Sequence, residues 1–257
     1  MADEILCTVQ DGIATLTLNR PEKRNALNTT ALEQLVGHLD TLEHHKDVRV
    51  VVFRGAGKAF CAGRDLRELG QQQPSTATPR IDITQVFHQV ECSCHPTIAM
   101  VHGDALAGGC ELALHCDLRV AADVARFGMP LAQLGLIVPF DLTRKLVEII
   151  GTAPTKQLLF TAEPITGARA YEIGMVHQVV PLAEIEQVTY KMARRIAGNA
   201  PLALAGIKTT IRRTLAPQEQ IEHADLDALV RQNRQSADAR EGIRAWLEKR
   251  QPVFRGE

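Results

Sequence analysis

The chain has no excess of either charge: 29 lysines and arginines stand against 30 aspartates and glutamates, for a net charge of −1. A nucleic-acid-binding surface shows as a basic surplus, so composition argues against that class, although local basic residues can still meet the phosphates of a small ligand. No run of about 18 apolar residues occurs, so no transmembrane helix and no membrane role are expected. The N-terminus, MADEILCTVQDG, carries acids and no basic stretch ahead of an apolar run. A targeting leader is therefore not expected, and the cytoplasm is the expected compartment. The cysteines at 7, 61, 92, 94, 110 and 116 include one C-x-C pair and no second pair at zinc spacing. Free thiols are expected, and no histidine, cysteine or carboxylate cluster has the spacing of a metal site. A G-x-S-x-G elbow is also missing, which argues against a serine hydrolase of that type.

What is present is a chain of 257 residues, 45% of them hydrophobic, enough for one large core with or without a helical appendage. Residues 5–9 and 13–18 are β-rich and split by Asp11-Gly12, a hairpin signal. Asn28 can cap a helix that carries Leu32, Leu35, Val36, Leu39 and Leu42 on one face. Residues 48–53 and 97–101 read as strands buried on both faces, and residues 118–121 as a further strand. The polar stretch 71–79, QQQPSTATP, breaks the pattern and reads as a mobile loop. From Leu142 the pattern is mostly helical, with one strand near residues 175–180. Helices are expected over 182–197, 202–215, 219–235 and 239–249. The alternation of strands and helices followed by helices alone predicts an α/β core over residues 1–181 and a helical subdomain over 182–257.

Two segments, residues 51–69 and 97–118, share one layout: buried strand, glycine-rich loop, helix start. A helix N-terminus offers unpaired N–H groups and a positive dipole end, and glycine lets a ligand approach the backbone. Two such loops facing each other can direct two N–H groups at one oxygen, which is the geometry of an oxyanion hole. Glycine loops after strands are common, and a structural role for both is the alternative.

The segments N-R-P-E-K-R-N-A-L-N (19–28), A-F-C-A-G-R-D-L (59–66) and H-G-D-A-L-A-G-G-C-E-L-A-L-H-C-D (102–117) resemble the enoyl-CoA hydratase/isomerase, or crotonase, family. The pieces R-F-G-M-P (126–130), F-T-A-E-P-I-T-G-A-R-A (160–170) and G-M-V-H-Q-V-V (174–180) match in the same order. The resemblance implies a spiral of ββα units and a helical C-terminal subdomain that drives trimer or hexamer formation. It also implies an acyl-CoA substrate, with CoA as part of the substrate and no separate cofactor. Arg64 and Gly108 would give the oxyanion N–H groups, and Arg24, Ala26, Ala62, Asp65 and Leu66 would line the CoA path. Arg20, Lys23 and Arg24 are the candidates for its phosphates, with plain solvated charge as the alternative. Glu111 matches the first catalytic glutamate of the hydratases; its other reading is an acid that stabilises the helix dipole.

The sequence departs from the family where the second hydratase glutamate follows the proline of F-G-x-P-E. Here Leu131 follows Pro130, and Leu131 transfers no proton. Asp141 is a candidate replacement, with a surface acid as the alternative. His102 and His115 read as structural. Hydratase or isomerase chemistry leads, followed by decarboxylation of an acyl-CoA bearing a second carboxylate. A non-catalytic RNA- or ligand-binding member is the rival from another class.

Overall fold

A computed structural model describes residues 3–71, 81–219 and 221–256. The chain opens with a hairpin, β1 (Ile5–Gln10) and β2 (Ile13–Leu18). Asp11 and Gly12 take the positive φ values, 51° and 76°, that a tight two-residue turn requires. A short 3₁₀ turn at Pro21–Lys23 leads into α1 (Thr29–Glu43). The Asn28 side chain accepts from the Ala31 N–H at 2.8 Å, and Leu32, Leu35, Leu39 and Leu42 are buried. The cap and the apolar stripe read from the sequence therefore set this helix.

Strand β3 (Val50–Gly55) and α2 (Leu66–Gln71) follow, and the stretch 71–79 lies, beyond Gln71, outside the described residues. Next come α3 (Ile83–Cys92), β4 (Thr97–Val101), β5 (Ala105–Leu106), α4 (Gly108–His115), β6 (Leu118–Ala122) and β7 (Arg126–Gly128). A 3₁₀ turn at Ala132–Leu134 precedes α5 (Phe140–Ile150), α6 (Thr152–Thr161), β8 (Ile165–Thr166), α7 (Gly167–Glu172) and β9 (Gln178–Val180). A last 3₁₀ turn and four helices complete the chain: α8 (Ile185–Ala197), α9 (Pro201–Glu219), α10 (Ala224–Arg234) and α11 (Ala237–Glu248).

The large sheet has the order β1-β2-β3-β4-β6-β9, antiparallel at β1/β2 and parallel elsewhere. A small sheet has the order β5-β7-β8, and a bridge from Cys61 to Ala105 continues it. Successive passes of the chain thus give one strand to the large sheet and a short one to the small sheet: β3 and Cys61, β4 and β5, β6 and β7. That repetition is the ββα spiral. Parallel strands covered on both faces read as continuous apolar runs, and every residue of β4 is buried. The small sheet escaped sequence reading because two- and three-residue strands carry no measurable period.

Helix α8 lies on the large sheet, with Ile185, Thr189 and Ala193 buried and the Tyr190 hydroxyl 2.9 Å from Thr15 Oγ1. A division after residue 181 runs between β9 and this helix, which shares the core of the sheet. Helices α10 and α11 fold back over the loop before α5. Ile137 N–H donates to Asn233 Oδ1 at 3.0 Å. A Cβ on Gly242 would lie 2.3 Å from the Leu134 carbonyl oxygen, so α11 docks there through a glycine face. Among the described residues, no helix is long and apolar enough to cross a membrane.

Candidate active site

The two glycine loops predicted to converge do so, and glycine makes the approach possible. A Cβ on Gly63 would sit 2.9 Å from Gly108 N, one on Gly108 would sit 3.6 Å from Arg64 N, and one on Gly109 would sit 2.1 Å from the Cys61 carbonyl oxygen. The Leu27 N–H donates to the Gly63 carbonyl, and the Asp65 N–H to the Leu27 carbonyl. Arg64 N–H, between them, points the other way, as alternation along an extended segment dictates. Among the described residues neither Arg64 N–H nor Gly108 N–H is taken by a hydrogen bond. Ala107, just before Gly108, has φ 48° and ψ −121°, a backbone state that L residues rarely adopt. Such a state costs on the order of 1–3 kcal/mol and persists where the surroundings impose it; here it aims the first N–H of α4.

Glu111 lies in the first turn of α4, a helix buried on all sides. It is fully buried, and neither carboxylate oxygen has a hydrogen-bond partner among the described residues. Burial pushes its pKa well above the ordinary carboxylate range, and the charge of Lys145 opposes this only in part. An unbonded, buried carboxyl in the first turn of the helix that Gly108 opens has the chemistry to give or take a proton.

Behind Glu111 stands a charged cluster that the sequence did not announce. Lys145, on α5, is buried and donates to Glu91 at 2.6 Å and to Glu148 at 2.9 Å. Arg144 pairs with Glu148 at 3.2 Å. The His115 Nδ1 is 2.8 Å from the Glu111 carbonyl oxygen and 3.9 Å from its carboxylate. Burial lowers the His115 pKa to about 4, so the ring is neutral. Residues three and four apart on α5 hinted at the Lys145–Glu148 pair, but nothing in the sequence signalled its burial.

The expected CoA-path residues divide. Arg64 and Leu66 keep free N–H groups among the described residues. The Ala62 N–H goes to the Arg24 carbonyl at 3.0 Å, the Ala26 N–H to the Lys23 carbonyl, and the Asp65 N–H to Leu27. The Asp65 side chain accepts from Arg20 at 3.1 Å, and Arg20 also pairs with Glu4, so Arg20 is a brace. Arg24 is half-exposed and donates to Asp104 at 2.6 Å. It lines an open pocket of about 470 Å³ with Pro21, Gly57, Lys58, Ala59 and Asp104. Lys58 was missed, although its place beside the glycines of the first loop is a signal. Asn25, buried at φ 57°, ties the 19–28 loop to this wall through the Ala56 and Ala59 carbonyls, each at 2.8 Å.

Asp141 stands in the first turn of α5, where its charge acts on His223, whose ring stacks on Phe140 at 4.4 Å. The charge that acts on Glu111 is that of Lys145. Leu131, in the position of the missing glutamate, packs against the core. His102 Nε2 donates to the Gly57 carbonyl at 3.0 Å, and so braces the loop.

The sequence matches the family model described as enoyl-CoA hydratase/isomerase over residues 8–257. It is 35% identical over 260 residues to the 2,3-dehydroadipyl-CoA hydratase of Escherichia coli (strain K12), covering 98% of this chain and 99% of that protein. Identity to the short-chain-enoyl-CoA hydratase of Clostridium acetobutylicum is 33% over 252 residues, 96% of each chain. Among solved structures, methylmalonyl CoA decarboxylase superposes with a TM-score of 0.87 at 30% identity, covering 98% of both chains. Carnitinyl-CoA hydratase from Mycobacterium avium gives 0.87 at 30% identity over the whole of both chains. With the paired loops, the spiral and these likenesses together, the chain belongs to the enoyl-CoA hydratase/isomerase family.

Proposed function

We propose that the protein binds an acyl-CoA thioester, stabilises the thioester enolate at the N–H groups of Arg64 and Gly108, and moves the proton with Glu111. The observation that carries this is Glu111: a fully buried carboxyl, without a hydrogen-bond partner among the described residues, one helical turn from Gly108. Backbone donors held rigidly by glycine packing act where negative charge develops, and need no reorganisation. The pocket at Arg24 and Lys58 offers two cations to the nucleotide phosphates. Hydration or isomerisation of a 2-enoyl-CoA is the leading reaction, and the hydratase names of the relatives support it.

Decarboxylation of an acyl-CoA with a second carboxylate is the second reading. Leu131 favours it, since loss of carbon dioxide generates the enolate without a second glutamate. E111Q separates the two. It keeps the shape of the side chain and removes the base, so kcat on a 2-enoyl-CoA is expected to fall about 10²–10⁴-fold. Affinity for butyryl-CoA, which the backbone donors carry, should hardly change. Full activity of E111Q on a 2-enoyl-CoA would eliminate the proton-transfer role.

We also propose a trimer or hexamer. Leu202, Ile207 and Ile211 of α9 are 88%, 57% and 58% exposed, an apolar surface of the kind that subunits cover. All six cysteines are free, which fits the reducing cytoplasm proposed as the compartment.

A further inference from the structure

Arg64 has a second feature besides its backbone N–H. Its side chain is only 19% exposed, and the Nη1 atom is buried with no hydrogen-bond partner among the described residues. Three carboxylates lie near it, and each is engaged elsewhere. Glu68 accepts from Thr29 at 2.7, 3.1 and 3.3 Å, and reaches Arg64 only at 3.7 Å. Asp65 accepts from Arg20 at 3.1 Å and from the Arg67 N–H at 3.1 Å. Asp82 caps α3 through the Thr84 N–H at 2.9 Å. The Arg234 side chain, at the end of α10, brings a second positive charge close enough to act on Arg64. Burial lowers the Arg64 pKa, Glu68 opposes that, and Arg234 adds to it.

A buried guanidinium with an unpaired N–H is costly, and a carboxylate is the group whose geometry matches it. The guanidinium belongs to the same residue whose N–H is proposed above to hold the thioester oxygen. We propose that Arg64 selects acyl groups that end in a carboxylate, so that the substrate is a dicarboxylic acyl-CoA thioester. The inference rests on the acyl-CoA reading above. A methyl-ended chain would leave Nη1 unpaired, and sites that lose a polar partner reject such analogues strongly. The phosphates of CoA share the anionic chemistry, and the experiment separates the two sources.

Calorimetry on the whole protein tests this with saturated thioesters matched in length: succinyl-, glutaryl- and adipyl-CoA against butyryl-, pentanoyl- and hexanoyl-CoA, with free CoA as the third arm. The expected result is that at least one carboxylate-ended thioester binds about tenfold or more tightly than its methyl-ended partner. R64Q should remove that preference, and R64K should restore part of it. R234Q, a variant of an exposed side chain, should weaken the preference without the burden of a buried change. Equal binding within every pair by the wild type overturns the assignment, as does an R64Q protein that keeps the preference. Loss of affinity by the same factor for free CoA and all thioesters would assign Arg64 to the phosphates and overturn it too. Failure of every thioester to bind would instead strike the acyl-CoA reading, and the inference with it.

Discussion

Glu111, the proposed acid/base, also makes stability depend on pH. Its folded-state pKa is raised well above the ordinary 4.5, so the folded protein holds this proton more tightly than the unfolded chain. The associated stability is fully present below about pH 4.5 and is lost as pH rises through the folded-state value. E111Q carries no such charge. Its Tm relative to wild type is therefore expected to rise steadily as pH increases above 4.5, with little difference at lower pH. A flat difference from pH 4 to 8 in thermal melts would mean that Glu111 is not held protonated. If Glu111 is the base, kcat/KM should climb with pH over the same window, and that limb should vanish in E111Q.

The neighbouring glycines separate folding from function at single positions. A Cβ on Gly109 would lie 2.1 Å from a backbone oxygen that has no room to shift, so G109A is expected to destabilise severely. A Cβ on Gly108 would meet the movable end of Ile83 at 3.1 Å and stand 3.6 Å from Arg64 N. G108A should therefore fold, with Tm within a few degrees of wild type by circular dichroism, yet lose much of kcat/KM because the methyl enters the hole. Equal effects of the two changes on Tm would contradict this packing.

At the scale of elements, α5 is held to α3 by charge. Lys145 binds Glu91 from α3 and Glu148 from its own helix, and side-chain exposures of 5%, 13% and 15% leave little water to replace a lost partner. Removing one member of such a cluster typically costs about 3–5 kcal/mol, because the remaining charges stay buried and unpaired. K145M is expected to lose stability on that order in urea unfolding. It should also raise the Glu111 proton affinity further, since Lys145 is the charge that opposes it. A K145M protein as stable as wild type would show that the cluster is wetter than its geometry indicates. Helix α9 is tied to the core by Lys208, which donates to Asp117 at 2.7 Å and to the His95 carbonyl at 3.0 Å. Its Leu202, Ile207 and Ile211 nevertheless remain outward.

For the whole molecule, that outward face leads to one expectation. Light scattering at micromolar concentration should give three or six times the mass of the chain. L202D combined with I211D should lower that mass if α9 meets other subunits. A monomeric wild type would rule out the proposed assembly. The active-site loops are bonded within one chain, so a dissociated variant is expected to keep affinity for CoA thioesters.

The sequence by itself determined the hairpin, the Asn28 cap, the buried strands and the glycine loops. Each rests on local chemistry: a turn needing positive φ, a side chain reaching three residues ahead, an apolar run, a missing Cβ. It also singled out Glu111, Arg64 and Gly108, through motifs long enough to resemble one family. Only the tertiary structure decided the rest. That Glu111 lacks hydrogen-bond partners among the described residues depends on α3, α4 and α5 closing around it, since Lys145 is 34 positions along the chain. That Asp141 sits by His223 depends on α10 folding back. That Arg64 is short of partners depends on Thr29, Arg20 and Thr84 claiming the three nearby acids. Desolvation and partner competition are properties of space, and a linear pattern encodes spacing along the chain but not which groups exclude water from one another.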